Sequence, residues 1–207
     1  MKFATFVLLG ILLLWAFPAV VTAQPPDDSH MVIGFTGGST WTSQSTGTCI
    51  WYFPVVGNLD LASLFATDNH GVPVVDKEHS YFIWVSDWSI QAMFGNGPFS
   101  LAVVPAGTAT IYYSSNPLSR DWHDLANRTT WGVPVAQFVR GAGLFQTTDN
   151  WVSDKFYFSA PLVSSKSINL NGKRFSFRDL LPEGMTCFEY GQNGSTSEAG
   201  SCMAIGH

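Results

Sequence analysis

Charge is scarce in this chain, and positive charge is scarcest. Only 12% of the 207 residues are Asp, Glu, Lys or Arg, with ten basic residues against 15 acidic. That deficit of Lys and Arg argues against nucleic acid or an anionic membrane surface as partner. Low charge combined with 46% hydrophobic and 14% aromatic residues excludes disorder for the body of the chain, because a disordered chain needs the opposite composition. Several catalytic and metal signatures are missing from the sequence: HExxH, CxxC, the EF-hand loop and GxSxG. No internal repeat is present, and after the first 17 residues no segment is apolar enough to span a membrane. No cofactor is therefore expected.

The apolar N-terminus reads as a leader. Lys2 precedes the run Phe3 to Phe17, and Val21-Thr22-Ala23 fits the small-residue rule for cleavage before Gln24. The expected organisation is a cleaved secretory signal over 1–23, a loose lead-in over 24–30 (QPPDDSH) and one β domain over 31–207. The expected location is secreted, periplasmic or otherwise extracellular. All three cysteines would then meet an oxidising compartment. Cys187 and Cys202 flank a polar segment that can fold back on itself, so their pairing is favoured. Cys49 in CIWYF reads as a buried structural thiol, although its pairing with either of the others stays open.

Aromatic and β-branched runs punctuated by Gly, Pro, Ser and Thr predict an all-β fold. Tyr81 to Ser115 is its scaffold. YFIWV is apolar on both faces, which predicts a covered, central strand, and Val104-Pro105-Ala106-Gly107 predicts a hairpin between FSLAVV and TATIYYSS. Ser86-Asp87-Trp88 is the polar end where a site can begin. Asn171-Gly172 predicts a second hairpin, with Phe175 and Phe177 facing the core. In DKFYFSAPLV, Phe156 and Phe158 share one face and Lys155 and Tyr157 the other. Pro54 marks an edge or the end of its strand. Asn58 to Ala66 predicts one of at most two short helices. Strands at this spacing predict a mostly antiparallel, jelly-roll-like β-sandwich, with a closed β-barrel as the second architecture.

Candidate sites fall in polar loops. Asp68, His70, Asp76 and His79, with Glu78 nearby, have the residue types of a metal site without the spacing of a known motif; a solvated loop is the competing reading. In SRDWHDL, His123 stands between Asp121 and Asp124, a general-base pattern, but neighbours in sequence point apart. Trp41, Trp122, Trp131 and Trp151 sit in polar surroundings where an indole can stack on a sugar or another planar ligand; the competing role is to cap the core. Asn127-Arg128-Thr129 and Asn193-Gly194-Ser195 are glycosylation sequons. The sequence thus favours non-catalytic binding of a glycan or an extracellular protein. The alternatives are a secreted hydrolase with a loop-borne acid/base site, or a structural surface component.

Overall fold

Alternation of large apolar and small or polar residues produces strands throughout a computed structural model that describes residues 31–148, 153–192 and 197–205. The signal and lead-in, Trp151 and the Asn193 sequon lie outside the described residues. The fold is all-β. The main strands are β1 (Met31–Trp41), β2 (Thr46–Val56), β3 (Phe82–Ser89), β4 (Ala92–Asn96), β5 (Phe99–Val104), β6 (Gly107–Tyr113), β7 (Val133–Arg140), β8 (Gly143–Thr148) and β9 (Ser153–Ser165). The short β10 (Ile168–Leu170) and β11 (Lys173–Phe175) precede β12 (Gly184–Gln192) and β13 (Glu198–Ala204). Two one-turn helices, α1 (Leu61–Leu64) and α2 (Phe177–Leu180), are capped by Asp60 and Ser176.

The architecture is the barrel rather than the sandwich. Strands pair in the order β12-β13-β1-β2-β3-β6-β7-β9, and β9 pairs back onto β12, closing an antiparallel barrel of eight strands. The long strand β9 makes closure possible. Its C-terminal part pairs with β7 from Phe138↔Leu162, while Ser153 to Pro161 pair with β12. A sandwich and a barrel have the same alternation along each strand; only the β9–β12 ladder separates them.

The predicted Val104–Gly107 hairpin does not form. β5 pairs with β4 and β8, whereas β6 pairs with β3 and β7. Pro105 lacks an N–H and interrupts one long strand instead of reversing it. The reversal lies nearby, between β4 and β5, where Asn96 pairs with Phe99 and Gly97 takes φ 61°. A positive φ suits the first central position of a primed hairpin turn. Similar breaks separate β3 from β4 and β7 from β8. Consequently β4, β5 and β8 continue the barrel wall past its rim as a flap, held through β8 to Leu144↔Tyr157 and neighbouring pairs of β9.

Pro54 is also not at an edge, since β2 lies between β1 and β3. It sits where the β1–β2 register shifts, beyond the last β2–β3 pair. The Asn171-Gly172 hairpin forms as predicted, with φ 52° and 80° at its two turn residues.

The barrel axis is filled with aromatic rings. Phe35, Trp51, Trp84 and Phe158 are buried and in successive contact, with Trp51 and Trp84 centroids 4.9 Å apart. One end is stoppered by Phe82 and Phe53 against Phe177 from α2. Cys187 and Cys202 face each other across β12 and β13 inside this core and form the disulfide. The outer face of β3, Ile83 and Val85, is covered by Trp131. Arg120 fastens that covering segment by donating to the carbonyls of Trp131, Ser80 and Tyr81. The expectation that YFIWV is covered on both faces holds.

Candidate functional site

The end of the barrel opposite the Phe177 stopper is where strand periodicity brings polar side chains inward. Cys187 points into the core, so Glu189, two residues further along β12, also points inward. Glu198 shares its face with Cys202 through Gly200, and Asp154 shares its face with Phe156 and Phe158. The three carboxyl groups, from three neighbouring strands, line one small cavity of about 40 Å³ that is partly open to solvent. Its apolar wall includes Phe156, together with Val104 and Phe145 from the flap. Trp41 and Trp88 stand at the mouth, edge to face with centroids 4.6 Å apart. Trp41 is 46% exposed.

Two glycines make this packing possible. A Cβ on Gly191 would lie 2.1 Å from Asp154 Oδ1, and one on Gly47 would lie 2.5 Å from the Trp88 ring. Any larger residue at either position displaces a group that lines the mouth.

The electrostatics of the cavity follow from burial. Glu189 is only 4% exposed, and its Oε2 has no hydrogen-bond partner. Burial, then the nearby Glu198 and a hydrogen bond to it, and then Asp154, raise Glu189 well above the ordinary carboxyl range; Arg140 offsets this only in part. Asp154 is pushed up to about 6 by burial and by Glu198, against a stabilising N–H from Gly191. Glu198 is positioned by Trp51, whose Nε1–H donates to Oε2 at 2.8 Å. Cys49 lies 3.1 Å from Ser39 Oγ, and burial followed by Glu189 and Glu198 keeps it a thiol rather than a thiolate. Arg140 is buried beside the Phe156 ring and donates to Ser86 Oγ and the Pro105 carbonyl.

The residues singled out by sequence are dispersed. Of Trp41, Trp122 and Trp131, the three of those tryptophans among the described residues, Trp41 lines this cavity. Trp131 is fully buried on the outer face of β3, with Nε1–H donating to the Asp121 carbonyl at 3.1 Å. Trp122 is half-buried against Trp131 and beneath Lys77 Nζ, which lies 4.4 Å from its ring. Core capping therefore describes Trp131, and Trp122 packs onto it.

Among the described residues, no three His, Cys, Asp or Glu side chains converge on a metal position. Asp68 accepts from the N–H groups of His70 and Val72, shaping its own turn, while Asp76 bonds His79 at 2.8 Å. The Asp121 and Asp124 carboxylates likewise accept backbone N–H groups, Asp121 from His123 itself. In the first loop Asp76 and His79 thus pair side chain to side chain, whereas in the second the carboxylates are taken up by backbone N–H groups. The Asn127 sequon lies in a one-turn 3-10 segment, with its side chain accepting from Thr129.

Asp154, Glu189 and Glu198 were not singled out from the sequence, but a signal was present. Each sits at an even spacing, on the same strand, from Phe156 or one of the disulfide cysteines, and so shares that residue's face. No protein-family model matches the chain, and comparison with curated proteins and with solved structures finds no match. The fold and site themselves define a closed antiparallel β-barrel with an acidic, aromatic-rimmed mouth.

Proposed function

We propose that this is a secreted, non-catalytic binding protein that holds one small ligand in the mouth of its barrel. The observation that carries this reading is the asymmetry of the interior. One end is plugged by aromatic rings, while the other opens into a small cavity with apolar walls and a few polar groups. An eight-stranded barrel has room either for side chains or for one small ligand, and here rings fill the axis and leave the space at the mouth. The leader-like N-terminus and the buried disulfide support an extracellular setting.

A sugar remains within this reading, as a mono- or oligosaccharide whose ring meets Trp41 and Trp88. The flap then has a role, since Val104 and Phe145 extend the cavity wall beyond the rim. The test is tryptophan fluorescence of the mature chain titrated with a panel of small sugars, fatty acids, amines and neutral aromatic compounds. At least one class is expected to saturate the signal at a single site, and W41A and W88A are expected to weaken it. No response across the panel, with equilibrium dialysis also negative, removes the proposal.

A further inference from the structure

We infer that the flap carries an interaction surface for a second copy of this chain, the free edge of β4 pairing antiparallel with the same edge of its partner. The barrel itself closes through β9 and β12, but the flap does not: among the described residues β4 pairs with β5 and with no other strand. On its other side β2 accompanies β3 only as far as Thr46↔Ser89, so β4 runs on past it with one edge uncovered. Proteins blunt such edges with Lys, Pro, inward charges or a covering loop. β4 (AMFGN) has neither Lys nor Pro, and no charged residue or His occurs between Asp87 and Arg120. It instead exposes Met93 to 47% on one face and Phe94 to 55% on the other, the most exposed aromatic ring among the described residues.

The occupant follows from the chemistry of self-pairing. In a two-fold pair of identical strands a charge at the centre meets its own kind, so an uncharged strand is what self-pairing requires. The register that uses all five residues of β4 centres on Phe94. It sets Phe94 against the partner's Phe94, an aromatic cross-strand pair, with Leu101 beside it as its neighbour on β5. It also sets Met93 against the partner's Gly95. An added Cβ at Gly95 would meet nothing within 4 Å, and that open space receives the Met93 side chain. Five residues make a contact smaller than the roughly 1,200 Å² of a standard interface, so the dimer exchanges with monomer rather than being permanent.

The experiment is sedimentation velocity of the mature protein over a wide concentration range, together with cysteine cross-linking. The mass is expected to rise from one chain to two and to stop there. F94K places like charges at the two-fold axis and should weaken the dimer at least about tenfold. Directly opposite residues of an antiparallel pair lie about 4.5–5.5 Å apart at Cα, within disulfide reach. F94C should therefore cross-link into dimers on mild oxidation. L118C, at a more exposed position on the segment tied to the opposite end of β3, should not, and Cys49 is buried and takes no part. Circular dichroism establishes that the variants are folded; sedimentation of the wild-type protein tests the inference without any variant. A monomer at every concentration, growth beyond two chains, a dimer unaffected by F94K, or cross-linking of F94C no faster than of L118C overturns the inference.

Discussion

Replacing Asp154 with Asn is expected to stabilise the protein, and only above acidic pH. The carboxyl has been moved from its ordinary 3.8 to about 6 by burial and by Glu198. At about 1.4 kcal/mol per tenfold change in proton affinity, that shift costs the folded state roughly 3 kcal/mol when the group is ionised. Asp154 is only half-buried, and solvent screening reduces the figure to about 1–2 kcal/mol. Because the folded pKa lies above the unfolded one, the penalty is absent below about 3.8, grows between 3.8 and 6, and is complete above 6. Asn keeps the shape and can still accept the Gly191 N–H. D154N should therefore raise Tm by about 3–6 °C at pH 7.5 and by much less near pH 4. Thermal and urea unfolding at both values measure this. An equal gain at the two pH values, or a loss at pH 7.5, would refute the assignment of Asp154 to a desolvated, like-charged site.

Trp84→Ala empties the barrel axis where Phe35, Trp51, Phe53 and Phe158 meet, and should cost about 3–5 kcal/mol in urea unfolding. Arg120→Met leaves three backbone carbonyls without a charged donor. A loss of roughly 1–3 kcal/mol is expected, with faster hydrogen exchange over 116–131 as Trp131 lifts from Ile83 and Val85. Replacing both Cys187 and Cys202 with Ala should cost about 3 kcal/mol, the value for a closed loop of this length, read from equilibrium unfolding against the oxidised parent. Cys49, buried and held as a thiol, should react with an aromatic disulfide reagent only as the protein unfolds; rapid labelling of the native chain would contradict its placement.

Local chemistry in the sequence determined a large part of this protein. Strand-forming alternation, the Asn171-Gly172 turn, the inward Phe156 and Phe158, the two-faced burial of YFIWV and the Cys187–Cys202 pair all depend on period 2 or on turn conformations, which short stretches specify. The end of YFIWV at Ser86-Asp87-Trp88 was also legible as the place where a site can begin, and Trp88 does reach the mouth.

Tertiary structure alone decided which strands meet. Pro105 can start a hairpin turn or break a strand, and the pairing of β5 with β8 and β6 with β7 selected the second. The ladder between β9 and β12 turned a sheet that could have stacked into one that closes. Closure also made the site. Asp154, Glu189 and Glu198 look like ordinary surface acids in sequence, each separated from the others by eight or more residues. They share one desolvated space only because β9, β12 and β13 are neighbours around a barrel, and long-range pairing of that kind has no local signature.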